Sequence, residues 1–454
     1  MYDREATPLY QEDSLPFGRP LSLALTALAV TLSAPAAAQS QDPDTAAAAA
    51  ALAEFEEACT RVDNLWPIPV CGAVVLVDPA TRLAVANRPD PARRFSHLHG
   101  AWVGAWPQGM PVANTDVQWE GERWAMAMLP LSDDPFARLR LLAHESFHRI
   151  QRELGHDPSD PMANHLDEEE GRLWLRLELR ALARSLETTG DEARAAALDG
   201  LLFRGVRRAL FPGAREAERR LELHEGLAEY TGVRFALDAT GRSPSEAAPL
   251  TARFESRPTY VRSLGYGTGP ALGLLLDRYR PDWREDLEPA SDLADLLAAA
   301  LNAPEPGPDL QDRARSRAAP YGYAEVRAEE ARRAERMSEE RARYREELVE
   351  GPVLILELPE RRLMFNPNTV VSLGEEGSVY PGAILEGPWG RLTLTDGAAL
   401  ATPGRDRARV RAPDLWEPEP DGNLAGPGWI LELTPGWGAV PGPRPGDLRL
   451  ELDP

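Results

Sequence analysis

Two histidines four residues apart, His144 and His148, enclose Glu145-Ser146-Phe147 near the end of an amphipathic stretch over residues 134–154. On a helix, residues four apart lie one turn above each other on one face. Two imidazoles placed that way can ligate one metal ion. Glu145 flanks the same site and can hold a water beside it. Leu139, Leu141, Leu142, Ala143, Phe147 and Ile150 supply the apolar positions of a helix buried on most sides. The chain has only 7 histidines in 454 residues, so a paired spacing carries weight. The bland alternative is a surface helix with two ordinary histidines.

A catalytic zinc site takes three protein ligands and leaves one position open. The third candidate lies in Leu223-His224-Glu225-Gly226-Leu227-Ala228-Glu229-Tyr230. Residues 214–237 are predicted to form one helix, with Glu225 and Glu229 on a shared face. Glu225 is then the ligand, and Glu229 is placed to accept a hydrogen bond from a ligating histidine. His224 is a second possible ligand in the same segment. A solvated acidic face is the competing reading, because this chain's helices are rich in glutamate.

These motifs together resemble the gluzincin metallopeptidases. His-Glu-Ser-Phe-His followed by His-Glu-Gly-Leu-Ala-Glu-Tyr is most similar to the aminopeptidase-N-like branch, whose second motif reads N-E-G-F-A-E-Y. The resemblance implies an α+β catalytic domain, with a small mixed sheet over the metal helix and a helical lobe beside it. It implies Zn²⁺ held by His144, His148 and Glu225, and Glu145 as general base. It extends to Tyr266-Gly267-Thr268-Gly269-Pro270-Ala271, which looks like the segment whose tyrosine steadies the tetrahedral intermediate. That assigns the role to Tyr266, with Tyr260 as the spare candidate. The implied activity is hydrolysis of peptide or protein substrates. The family's G-A-M-E-N segment, which holds a free amino terminus, has no counterpart here. The nearest run, residues 123–129, reads as a strand that could serve as the edge along which an extended peptide pairs. An inactive relative that binds peptides or envelope components is the alternative. A structural envelope protein with an accidental motif is the remaining one, and it requires residues 144–148 and 225 to lie far apart.

The N-terminal segment points to export. Residues 21–34 are apolar, follow Arg19 and end in Ala36-Ala37-Ala38, a small-residue cleavage signature. The run is short for a membrane span, which needs about 20 residues. The 20 residues before it contain Asp3, Glu5, Glu12 and Asp13, unlike a short basic leader, so the expected start lies downstream of Met1. An uncleaved anchor is the competing reading. The only cysteines, Cys59 and Cys71, either form one disulfide or remain two buried thiols. His97 and His99 are two apart, as a solvent-facing pair or, less readily, a second metal site. A formal charge of −22 argues against nucleic-acid and anionic-membrane partners. The chain contains no lysine, which reads as base composition rather than function.

The predicted organisation is a signal region over 1–38, a catalytic domain over 39–320, a connecting helix over 321–350 and an all-β module over 351–454. A hairpin is expected over 70–87 with its turn at 78–81, and strands near 101–106 and 123–131. Helices are expected at 166–187, 191–210, 214–237, 270–279 and 290–301. Residues 304–308 form a Pro/Gly-rich break. The Glu/Arg-dense segment 324–350 reads as a long exposed helix that docks on the catalytic domain through Ala334, Met337, Tyr344 and Leu348. Trp389, Trp416, Trp429 and Trp437 are core residues of the last module or, alternatively, an aromatic binding surface.

Overall fold

The computed structural model describes residues 43–62, 65–156, 161–360, 362–366, 369–413 and 424–452. The expected signal region and Trp416 lie outside them. The described chain is mixed α+β, with helices and three sheets. None of its helices is long and apolar enough to cross a membrane.

Helix α1 (Pro43–Arg61) leads into a six-stranded mixed sheet. Its strands are β1 (Val74–Val77), β2 (Leu83–Ala86), β3 (Ser96–Leu98), β4 (Ala101–Ala105), β5 (Thr115–Trp119) and β6 (Glu122–Met128), in the order β3-β4-β2-β1-β6-β5. The expected hairpin forms as β1 and β2, with Asp78 accepting from the amides of Ala80 and Thr81 at its turn. Strand β6 runs parallel to β1 and antiparallel to β5. It is therefore interior, not an edge open to an extended peptide; β5 and β3 are the edges.

Side chains alternate across a strand, and here both faces are covered. Val74, Leu76, Val85, Ala125 and Ala127 point to the helical side. Val75, Val77, Ala84, Trp124 and Met126 join Phe95, Trp106 and Trp119 on the other. That explains why β1 reads as an unbroken apolar run rather than an alternating one.

Helix α2 (Pro135–Gln151) carries the paired histidines. Asp134 caps it by accepting from the Phe136 amide, and Pro135 occupies the first turn, where its missing N–H costs nothing. Phe136, Leu139, Leu142, Ala143, Phe147 and Ile150 are buried between the sheet and the later helices. Helices α3 (Glu169–Glu187) and α4 (Gly190–Leu210) pack against each other.

The segment expected as one helix over 214–237 is interrupted. It forms α5 (Ala214–Leu221), a π-turn over Glu222–Gly226 and α6 (Leu227–Thr240). Short α7 (Ala248–Phe254) follows. Helix α8 (Leu264–Tyr279) begins six residues before the expected start at 270, with Pro270 inside it. Helices α9 (Leu293–Ala300) and α10 (Leu310–Ala318) complete this part.

The disulfide alternative is the one observed: Cys59 and Cys71 are joined, tying the end of α1 to the chain entering β1. His97 lies in β3 against Trp102, whereas His99 sits in a turn with φ 52°. Both are exposed and they do not share a strand face.

Helix α11 (Tyr323–Arg345) continues into a second π-turn, Glu346–Glu350. Its first half docks on α3 through ion pairs, Arg172 with Glu330 and Arg176 with Glu329 and Glu330. The expected apolar seam faces elsewhere: Tyr344 and Leu348 pack with Val371, Leu373, Val379 and Leu400 of the β region, and Met337 packs beside them. Between Val353 and Leu452 lie a seven-stranded and a five-stranded sheet. Leu354, Leu356, Leu385, Leu392 and Leu431 form a shared core with Trp389 and Trp429. The two indoles donate to the carbonyls of Glu357 and Arg411, so both are structural rather than surface residues.

One polar assembly runs through the helical part. Arg204 binds Glu222 through two bonds of 2.9 and 2.6 Å and also reaches Glu178; Arg207 joins Glu178 to Glu218. All five side chains are buried. Removing one partner from such a network leaves charge uncompensated in the interior. Arg204→Met is therefore expected to lower stability by about 3–5 kcal/mol, measured by chemical denaturation. A change under about 1 kcal/mol would show that the network is not structural.

Candidate metal centre

Helix α2 presents His144 and His148, and the π-turn presents Glu225. The imidazole Nε2 atoms stand 3.1 Å apart, and each is 3.5 Å from Glu225 Oε2. These three residues form the one group of potential metal ligands found among the described residues. A tetrahedral ion held at roughly 2.0–2.1 Å spaces its ligand atoms about 3.3 Å apart, and the observed triangle has that size. The side chains of His144, His148 and Glu225 are 6%, 9% and 16% exposed, so the triangle is largely shielded from solvent.

Hydrogen bonds decide which nitrogen of each ring carries hydrogen. Gln151 Nε2 donates to the carbonyls of Leu223 and His224 at 3.0 and 3.1 Å. Its Oε1 can then only accept, and it lies 2.9 Å from His148 Nδ1. His144 Nδ1 lies 2.8 Å from Glu229 Oε2, and Arg140 pairs with the other oxygen of that carboxylate. Burial opposes ionisation of Glu229, but Arg140 and His144 outweigh it and hold its pKa down at about 2. Both Nδ1 atoms therefore donate, which leaves both Nε2 lone pairs facing inward.

The centre thus gathers two lone pairs and a carboxylate oxygen with no donor among them. Burial raises the Glu225 carboxyl, yet the two imidazoles beside it hold it far below the usual carboxylate range. Glu225 Oε2 is buried with no hydrogen-bond partner. Converging acceptors repel one another unless a cation lies between them. Burial lowers His144 proton affinity, but Glu225 and Glu229 more than reverse this. The cluster draws positive charge to the point where its three acceptors meet.

Glu145 is 4% exposed, and its Oε2 is buried without a hydrogen-bond partner. Burial raises its carboxyl pKa, partly offset by His144 and His148. Tyr266 stacks on His144, with ring centroids 5.5 Å apart and planes 9° from parallel. It sits in the first turn of α8, which begins before the helix expected at 270–279. Burial, then the Glu225 charge, pushes its phenol far above the ordinary tyrosine value. Tyr260 is not at the centre: its hydroxyl donates to the Glu255 carbonyl, beneath Arg172. His224 lies outside the ligand group, its ring packed on His148 with centroids 5.3 Å apart.

The π-turn is held from three sides. Arg204 and Thr268 bind Glu222, and Gln151 takes two of the turn's carbonyls. Gly269 of α8 lies against it; a Cβ there would meet Gly226 Cα at 2.3 Å and its carbonyl oxygen at 2.5 Å. The glycines after Tyr266 are what let α8 approach closely enough to bring that ring onto His144.

Gln151 and Arg140 were not singled out from the sequence. The available signal was spacing: Arg140 lies one turn before His144 and Gln151 one turn after His148, on the same helix face. Comparison with protein-family models, curated proteins and solved structures finds no match for this chain.

Loss of a side chain that orients a ligating histidine typically costs 10- to 100-fold in metal affinity. Gln151→Leu is expected to weaken metal binding by about that factor, read by competition with a chromophoric chelator. Unchanged affinity would refute the orienting role.

Proposed function

We propose that the protein is a zinc-dependent hydrolase of peptide bonds, with His144, His148 and Glu225 as the metal ligands. The observation that carries the reading is the inward convergence of two oriented imidazole nitrogens and one carboxylate oxygen at tetrahedral spacing. Two nitrogen donors and one oxygen suit zinc, whose catalytic sites keep a fourth position free. Zinc held there would supply Lewis acidity, activating a water near neutral pH and polarising a carbonyl.

The protein's own groups supply the rest. Glu145, kept basic enough to accept a proton by its apolar surroundings, takes one from the attacking water at Oε2 and passes it to the leaving amine. The Tyr266 hydroxyl donates to the carbonyl oxygen as negative charge develops on it. Glu229 and Gln151 keep the imidazoles in the tautomer the site requires. Peptides as the substrate class follow from the resemblance of both motifs to gluzincin metallopeptidases. The apolar run and small-residue cleavage signature at residues 21–38 support an exported enzyme.

Glu145→Gln is expected to retain about one zinc per chain and lose 10²- to 10⁴-fold in turnover, roughly the contribution of a general base. Mass-spectrometric digestion of a peptide library reads the activity, and elemental analysis reads the metal. Hydrolysis by that variant at the wild-type rate would remove Glu145 from the mechanism. Tyr266→Phe is expected to cost about 10² to 10³ in kcat with metal content unchanged. Chelation should abolish wild-type activity and added zinc restore it; chelator-resistant hydrolysis would exclude the metal mechanism.

A further inference from the structure

Many half-buried arginines of the helical part are engaged with acids or carbonyls. Arg172 and Arg176 bind Glu330, Arg176 and Arg180 share Glu255, and Arg140 holds Glu229. Arg257 differs. Its guanidinium lies 5.2 Å from the ring centre of Phe254 and 5.9 Å from that of Tyr266. It makes no ion pair or side-chain hydrogen bond to any described residue. Arg257 is half-buried, in the loop between α7 and α8, with its amide bonded to the Phe254 carbonyl.

The position matters because of the ring beneath it. Tyr266 stacks on His144, so the guanidinium stands one aromatic ring away from a candidate metal ligand. A guanidinium over an aromatic face is steadied by the ring while its N–H groups stay free to donate. Its planar fork matches a carboxylate through two parallel bonds. In a chain of formal charge −22, an arginine beside the centre with no acid partner among the described residues is a group left available for an incoming anion.

We infer that Arg257 anchors a substrate carboxylate flanking the scissile bond. This rests on the hydrolase reading above. An extended peptide rises about 3.3 Å per residue, and the two ring spacings of 5.9 and 5.5 Å put the guanidinium within a few residues' reach of the centre. Two sources share that chemistry: the free C-terminus of a peptide cut near its end, or an Asp or Glu side chain inside a longer one. Either sets a preference opposite to that of a site that holds a free amino terminus, which needs acidic groups.

The test uses the full-length zinc-loaded protein and peptides that differ by one group. One pair carries a C-terminal carboxylate or its amide; the other carries Glu or Gln beside the cleaved bond in a blocked peptide. The wild type is expected to favour the acid over the amide in at least one pair, by about tenfold or more in kcat/KM. The responding pair identifies the source. In Arg257→Gln that ratio should collapse toward one, mainly through KM, and Arg257→Lys should restore it in part because charge remains without the fork. Calorimetric binding of the same peptides to Glu145→Gln protein, with and without Arg257→Gln, reads the anchor without turnover. Unchanged preference in Arg257→Gln, or equal treatment of both pairs by a hydrolysing wild type, overturns the anchor and leaves the hydrolase standing. A wild type that neither cleaves nor binds any of the peptides overturns both.

Discussion

Glu222 is fully buried, and its carboxylate is held between the Arg204 guanidinium and the Thr268 hydroxyl. Those partners come from α4 and α8, so one carboxylate joins three helical segments. It opens the π-turn that carries Glu225. A π-turn places one extra residue in the helical path and is uncommon without a compensating contact. Here the compensation is dense: two guanidinium bonds, a hydroxyl bond and two carbonyls taken by Gln151. Without that clamp nothing local would keep Glu225 aimed at two imidazoles from another helix.

Gln151 makes the coupling reciprocal. Its amide nitrogen grips the π-turn while its oxygen orients His148. Glu229 does the same for His144, balanced by Arg140 one turn earlier on α2. Three carboxylates, Glu145, Glu225 and Glu229, thus surround the two rings, and among the described residues Arg140 is the cation paired with them. That surplus of negative charge among buried acceptors suits a bound cation.

Much of the candidate centre was legible from local spacing. His144 with His148, and Glu225 with Glu229, each sit one helical turn apart, and that periodicity survives folding. Tyr266 was readable from its motif, although the earlier start of its helix was not. Other features left little local trace. Helix α1 is hidden in an alanine run. Strand β6 reads as apolar, but pattern alone does not tell an interior strand from an edge, since that depends on where β5 returns. Gln151, Arg140 and Arg257 are ordinary polar residues until the side chains opposite them are known. The apolar residues at the end of α11 were visible as a seam, yet which neighbour they cover depends on the path of the β region.

The amino-acid sequence by itself determined the ligand types and their helical phase, because backbone geometry repeats every 3.6 residues whatever the fold. It also determined the two-faced apolar strand β1, since every side chain there is hydrophobic. Tertiary structure alone decided that His148 and Glu225, 77 positions apart along the chain, meet around one point, and which ring nitrogens face it. The reason is that convergence and tautomer rest on contacts between distant segments, Gln151 with the π-turn and Glu229 with His144. No run of neighbouring residues encodes such contacts on its own.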